Sequence, residues 1–197
     1  MFHVRLICVG KLKEKFYREA CAEYEKRLKG YCQLEIVELA EQRLPERPSQ
    51  AQIDAALQKE AEAIRAKIPS GSRVIAMCIE GKALSSEQLA DRLDSWMSSG
   101  TSQICVLIGG SCGLDEALKQ SAQLRLSMSP MTFPHHLARV MVLEQLYRAL
   151  NIAAGGKYHH RNTAGNRQRY GRRPGPDRDF HNAEWLSLSA RTMPRLP

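Results

Sequence analysis

Apolar runs rich in β-branched residues alternate along this chain with segments of helical periodicity, and this alternation limits the possible folds most. The runs read VRLICV, LEIVEL, RVIAMCIE, ICVLIGG and LRLSMS. Helical patterns separate or follow them at Lys13 to Lys29, Gln50 to Lys67, Ser85 to Ser98, shortly after Leu114, and about His135 to Ala154. Strands that alternate with helices predict an α/β fold, with a mostly parallel sheet covered by helices on both faces. The order of the strands cannot be read from this pattern.

The composition changes near residue 160. Residues 1–160 carry all the periodic segments, which predicts one compact domain. Residues 161–197 are rich in Arg, Gly and Pro and lack hydrophobic periodicity, which predicts a disordered extension. Its basic cluster from Arg167 to Arg173 suits either an RNA-binding arm or an inert tail.

The placement of charges, cysteines and apolar runs limits the partners, metal sites and location that can be expected. The net charge is +8, but residues 161–197 hold eight Arg against three acidic side chains, which leaves +3 for residues 1–160. Bulk charge therefore supports at most a mildly basic face for an anionic partner. The six cysteines form no CxxC pair or Cys/His cluster at zinc spacing, so no metal is expected. With neither a signal-peptide pattern nor an apolar run of about 20 residues, we expect a cytoplasmic protein that does not enter the membrane.

The segment VLIGGSCGL, residues 106–114, is a first candidate for a binding site. A buried-looking strand ends there in Gly109 and Gly110, and ligands of open α/β sheets bind beyond the carboxyl ends of strands. A tight strand-to-helix turn would explain the same glycines. The loop lacks the Lys-Ser/Thr of a phosphate-binding P-loop and the spacing of a dinucleotide fingerprint, which argues against both nucleotide sites.

The last predicted helix and the residues on either side of it are the other candidates. The helix is apolar on most sides, which favours burial or a subunit interface. His135 and Arg139 share a face at i,i+4, and Arg139 could meet phosphate. Glu144 and Arg148 at the same spacing predict a structural ion pair rather than a catalytic role. The neighbouring His159 and His160 would point to opposite sides of an extended chain and make a poor metal pair.

Four segments together resemble the large-subunit ribosomal RNA pseudouridine N3-methyltransferases of the SPOUT class: GKLKEKF, VLIGGxxGL, MTFPHHLARVMVLEQLYRA and KYHH. The resemblance covers nearly all of residues 1–160. It implies a C-terminal trefoil (α/β) knot, S-adenosylmethionine as the methyl donor, no metal, and a homodimer that pairs through the knot helices. The implied substrate is a pseudouridine in a loop of 23S ribosomal RNA, within free RNA, the large ribosomal subunit or the assembled ribosome. A non-catalytic ribosome-binding or assembly factor on the same fold is the alternative.

The resemblance also assigns roles to single residues. It implies cofactor binding by Met77, Gly109, Met128, Ser129, Pro130, Met131, Thr132 and Phe133. It implies RNA binding by His135, Arg139, Lys157, Lys11, Lys13 and Lys15, and a catalytic role, removal of the N3 proton, for His159 or Tyr158. The chain departs from the family where the loop after the double glycine reads Ser111-Cys112-Gly113 instead of Pro-Glu-Gly, and where Lys157 replaces a proline.

Overall fold

Five strands form one parallel sheet in the order β2-β1-β4-β3-β5 in a computed structural model that describes residues 2–155. The strands are β1 (His3–Val9), β2 (Gln33–Leu39), β3 (Arg73–Ala83), β4 (Gln103–Ile108) and β5 (Leu124–Ser127). The helices are α1 (Lys15–Leu28), α2 (Gln50–Arg65), α3 (Ser86–Ser98), α4 (Glu116–Ser121) and α5 (His135–Ala153). The structure confirms the predicted α/β class, the parallel sheet and the order of strands and helices along the chain. The order of the strands within the sheet could not be read from the sequence.

Alternating side chains of the strands build two apolar layers, one on each face of the sheet. Val4 and Leu6 of β1 face the layer that α1, α3 and α5 cover, while Ile7 and Val9 face the layer under α2 and α4. All four are almost fully buried. Burial on both faces explains why the strands read as continuous apolar runs, because neither face of such a strand meets water.

Local signals set the ends of the helices. Ser85 caps α3 by accepting from the amide of Gln88, whose side chain in turn accepts from the Ser85 amide, and Ser49 caps α2 in the same way. Pro134 lies one residue before α5 begins. At the other end of α5, Gly155 has a φ of +74°, a left-handed conformation that favours glycine after a helix.

Helix α5 returns across the sheet and packs between α1 and α3. Near its end, the Asn151 side chain donates to the Tyr31 hydroxyl over 2.6 Å. At its middle, Ser86 at the start of α3 donates to Gln145 over 2.8 Å. Its first residues therefore lie at the carboxyl ends of the strands and its last residues at their amino ends. The predicted Glu144–Arg148 ion pair is present, with Arg148 Nε donating to Glu144 over 2.9 Å.

Strand β3 is longer than predicted because it pairs twice with β5. Met77 and Lys82 both lie opposite Leu126, so the residues between them bulge out of the ladder. Gly81 re-enters so close to β5 that a Cβ on it would lie 2.8 Å from the carbonyl carbon of Arg125. Such bulges re-aim the chain next to functional sites, and this one lies at the carboxyl edge of the sheet.

Candidate active site

The carboxyl ends of three neighbouring strands bring together residues that are far apart in sequence. Ala76 of β3 pairs with Leu107 of β4, so Gly109 lies two residues beyond that level. On the other side Met77 pairs with Leu126 of β5, so Met128 also lies two residues beyond. Met77, Gly109 and Met128 therefore share one edge of the sheet, which is where ligands of open α/β sheets bind.

A tight turn after β4 requires its glycines. The Gly113 amide donates to the Gly110 carbonyl over 3.1 Å, and Gly113 has a φ of +81°. A Cβ on Gly109 would lie 2.1 Å from the Gly113 carbonyl oxygen. The turn itself thus explains why glycine stands at positions 109 and 113, and the backbone of both residues lies at the edge of the sheet.

A carboxylate from the loop after β2 holds this turn. Glu41 Oε1 accepts from the Ser111 amide over 2.7 Å and from the Ser111 hydroxyl over 2.6 Å. Gly110 leaves room for it, since a Cβ there would lie 2.7 Å from the same oxygen. The side-chain and backbone hydrogen bonds from Ser111 hold the pKa of Glu41 below its ordinary value, so Glu41 is ionised at neutral pH. The edge of the sheet consequently carries a fixed negative charge beside the glycine turn.

Replacing Glu41 by glutamine is expected to lower the free energy of unfolding by about 1 kcal/mol at pH 7, because a charged acceptor becomes a neutral one on a partly exposed turn. A carboxyl group with a lowered folded pKa contributes stability above its ordinary pKa of 4.5, and this contribution is lost as pH falls through the folded pKa. Urea unfolding of both proteins at pH 7 and below pH 4 should show the difference shrinking in acid. Glu46→Gln, an exposed change with the same loss of charge, is the control. A difference that grows in acid would contradict the assignment.

Arg139 is buried, which does not fit the direct RNA contact that the sequence implied. Its side chain is 3% exposed, forms an ion pair with Glu38 of β2 and donates to the Gly10 carbonyl over 2.9 Å. Glu38 also accepts from the Leu12 amide over 3.3 Å. Nucleic acid cannot reach this guanidinium in the described conformation. Arg139 instead ties the start of α5 to the loop after β1.

His135 lies directly over Gly10. A Cβ on Gly10 would be 2.9 Å from His135 Nε2, and Gly10 has a φ of +91°, so both its conformation and its close contact favour glycine. Burial lowers the pKa of His135, and the neighbouring His136 adds to the effect, so the ring is neutral at pH 7. A neutral imidazole can both donate and accept a hydrogen bond. The side chains of Lys11, Lys13 and Lys15 are exposed beside this loop.

The loop between β5 and α5 is held by its own serines. Ser127 is buried and donates to the Ser129 carbonyl over 3.0 Å, and the Ser129 hydroxyl accepts from the Met131 amide over 3.0 Å. Met128 packs against the core, whereas Met131 is 70% exposed. This loop therefore offers the carboxyl edge both apolar side chains and backbone polar groups. Phe133 is half-buried, while Pro130 and Thr132 are exposed.

Part of the predicted site falls outside the described residues. Lys157, Tyr158 and His159, and the border at residue 160, lie outside the described residues.

Between residues 2 and 155, no three His, Cys, Asp or Glu side chains are grouped to hold a metal ion. None of the helices that the structure describes is both long and apolar enough to cross a bilayer. Two clefts, of about 540 and 360 Å³, lie at the amino ends of the strands and thus opposite the candidate site.

Several residues of this edge were not singled out from the sequence. Glu38 and Glu41 read as ordinary charges around the end of a strand, although their place at a carboxyl edge was a usable signal. Gly10 follows β1 as Gly109 follows β4, and a glycine directly after a buried strand was the signal for a close contact there. Ser111 was noted only as part of a loop that departs from the family, and its hydrogen bonds could not be foreseen because Glu41 lies 70 residues away.

A family model and two named relatives each match about four fifths of this chain. A family model described as "Predicted SPOUT methyltransferase" matches residues 2–159. A protein named ribosomal RNA large subunit methyltransferase H from Bacillus pumilus is 46% identical over 157 residues, which are 80% of this chain and 99% of that protein. Its namesake from Bifidobacterium adolescentis is 51% identical over 156 residues, 79% of this chain and 98% of that protein. A solved structure of a probable methylase family protein from Haemophilus influenzae is 14% identical with a TM-score of 0.46, covering 95% of this chain and 75% of its own.

Proposed function

Because this chain belongs to the SPOUT methyltransferase family, we propose that it transfers a methyl group from S-adenosylmethionine to N3 of a pseudouridine in a loop of large-subunit ribosomal RNA. The observation that carries this proposal is the 46–51% identity to proteins named ribosomal RNA large subunit methyltransferase H over nearly their whole length. The carboxyl edge formed by Met77, Gly109 and Met128 supports it, because it offers a place for the methyl donor.

The residues of this edge fit S-adenosylmethionine. Half-buried apolar side chains can enclose an adenine ring, and the glycine backbone lets a ligand approach closely. The cofactor would supply an electrophilic methyl group, so that no metal is needed. We propose that the residues that hold it are Met77, Gly109, Met128, Ser129, Pro130, Met131, Thr132 and Phe133.

The protein must align the acceptor nitrogen with the methyl group and accept one proton. Methyl transfer to N3 of pseudouridine would leave S-adenosylhomocysteine and would require a base that takes the N3 proton. We assign that proton to His159 or Tyr158. His135, Lys157, Lys11, Lys13 and Lys15 would hold the RNA. Arg139, which is buried, would act indirectly by keeping His135 and Gly10 in place.

The architecture that goes with this function is also proposed. The chain leaves β4, passes through α4 on one face of the sheet and forms β5 beyond β3. It then returns to Gly10 beside β1, where α5 begins, a path that suits a trefoil knot at the carboxyl edge. Half-buried apolar residues of α5, such as Val140 and Met141, suit an isologous homodimer. The catalytic domain would span residues 1–160 and act in the cytoplasm, while the predicted extension at residues 161–197 lies outside the described residues.

Methyl transfer to three substrates tests the proposal. The full chain is incubated with S-adenosylmethionine labelled in its methyl group and with free 23S RNA, large subunits or assembled ribosomes. Digestion and mass spectrometry should find label in N3-methylpseudouridine for at least one of them. Label in a different nucleoside would overturn the assigned position. Tight binding to ribosomes without cofactor binding or transfer would instead favour a non-catalytic assembly factor.

A further inference from the structure

Four neighbouring rings connect the surface of the protein to the candidate site. The ring centroids of Phe16 and Tyr17 are 4.3 Å apart, those of Tyr17 and His136 are 5.9 Å apart, and those of His136 and His135 are 3.9 Å apart. We call these four residues the aromatic row. It begins at Phe16, which is 62% exposed, and ends at His135 over Gly10.

The outer end of the aromatic row lies in basic surroundings. The segment from Lys11 to Arg18 holds four basic side chains and one acid, Glu14. Lys11, Lys13 and Lys15 are exposed, and Lys15 forms an ion pair with the exposed Glu19 at 3.5 Å. A surface ion pair of this kind is weak and leaves the lysine available to another anion. The row therefore combines an accessible π-face with positive charge.

This combination favours single-stranded RNA over other occupants. A single exposed apolar side chain is ordinary on a protein surface, so Phe16 alone would indicate nothing. Rings in a row beside lysines match the way in which proteins hold unpaired nucleotides, with bases on aromatic faces and phosphates on cations. A helical duplex keeps its bases stacked on each other and would use only the lysines. A protein partner would need a wider apolar surface than one phenyl ring.

We propose that the aromatic row is a stacking platform on which Phe16 receives an unpaired base of the RNA strand that flanks the target nucleotide. Lys13 and Lys15 bind the adjoining phosphates, and the row leads the strand toward His135 and the cofactor edge. The proposal rests on the proposed function in that the strand is taken to be ribosomal RNA. It adds a residue that binds by stacking and a direction for the path of the RNA.

Three substitutions at Phe16 separate stacking from packing. Phe16→Ala is expected to lower kcat/KM for the ribosomal substrate about 10-fold, within the range for losing one base–aromatic stack. Phe16→Leu keeps the apolar volume but lacks a π-face, so it should lose about as much. Phe16→Trp should restore most of the activity. The KM for S-adenosylmethionine and the oligomeric state by sedimentation should not change in any of the three.

Salt dependence separates the ring from the lysines. Lys15→Gln should reduce the slope of log affinity against log salt by about 0.7, as expected for one phosphate contact with a single strand. Phe16→Leu should weaken ribosome binding without changing that slope. Lys26→Gln, at the exposed far end of α1, is the matched control and should leave the affinity unchanged. The proposal is wrong if Phe16→Leu behaves like the parent protein or if Phe16→Ala breaks a dimer.

Binding and transfer are measured separately, so that the two proposals can fail separately. If the parent protein binds ribosomes but transfers no methyl group, the proposed function fails, while the Phe16 series can still be read from binding. If the parent protein methylates its target and every Phe16 variant does so equally well, the proposed function stands and the stacking platform is rejected.

Discussion

Replacing Gly109 by alanine is expected to abolish binding of the methyl donor and to lower the free energy of unfolding by about 3 kcal/mol or more. The new Cβ would lie 2.1 Å from the Gly113 carbonyl oxygen and 2.3 Å from its carbonyl carbon. Backbone atoms cannot rotate away as the end of a flexible side chain can, so the whole turn must move. The cost should therefore reach or exceed the upper end observed for overpacking. Calorimetry with S-adenosylmethionine and urea unfolding would measure the two effects.

The matched control for this substitution is Gly30→Ala. Nothing lies within 4 Å of a Cβ at Gly30, so alanine should be accepted there with little change in stability. Gly109→Ala at parental stability would show that the turn is free to move. Lost stability with unchanged cofactor binding would show that the turn matters for folding alone and that the cofactor lies elsewhere.

The second large effect is expected for Arg139→Met, which should destabilise the protein by about 3 kcal/mol. Removing one partner of a buried ion pair costs roughly 3–5 kcal/mol because the other charge is left without compensation. Glu38 keeps 33% of its side chain exposed, so water recovers part of that cost. The Gly10 carbonyl also loses its donor, and His135 above it loses its fixed position. We therefore expect ribosome methylation to fall further than stability alone explains.

A double substitution tests whether the unpaired charge of Glu38 causes the loss of stability. Glu38→Gln added to Arg139→Met removes that charge and should recover part of the unfolding free energy. Arg27→Met is the control on the surface. Arg27 pairs with Glu23 at 2.9 Å and lies 5.5 and 5.9 Å from the ring centroids of Tyr24 and Tyr147, and these exposed contacts together should contribute about 1 kcal/mol. Equal effects at Arg27 and Arg139 would mean that the Arg139 pair is not effectively buried.

The sequence predicted the elements of this fold well, because the signals for them are local. The five strands and five helices and the Glu144–Arg148 pair are all confirmed. Each depends on residues within a few positions of one another. The order of the strands depends on pairing between distant segments of similar composition. An apolar parallel strand carries no local signal that identifies the strand it pairs with.

The candidate site was predicted only in part, for the same reason. The i,i+4 spacing correctly placed His135 and Arg139 on one face of α5 but did not show that Glu38 and Gly10 pack against that face. From sequence alone, an arginine in a basic chain suggests a contact with nucleic acid. The structure adds that Arg139 pairs with Glu38, which is 101 residues away. Resemblance named Gly109, and the geometry added a physical reason for that glycine. Tyr158 and His159 lie outside the described residues, and their catalytic roles remain predictions.

The position of β4 has a consequence for how the chain can reach its native state. β4 lies between β1 and β3, so those two strands never pair with each other, although both leave the ribosome before β4 does. The sheet therefore cannot grow by adding each new strand at an edge. Its two halves can join only when residues 103–108 are available, and α5, which covers one face, follows later still. Contacts this distant in sequence slow folding and leave apolar strands uncovered during synthesis. This chain should accordingly gain most of its stability in one late step, after nearly all of residues 1–155 have been made.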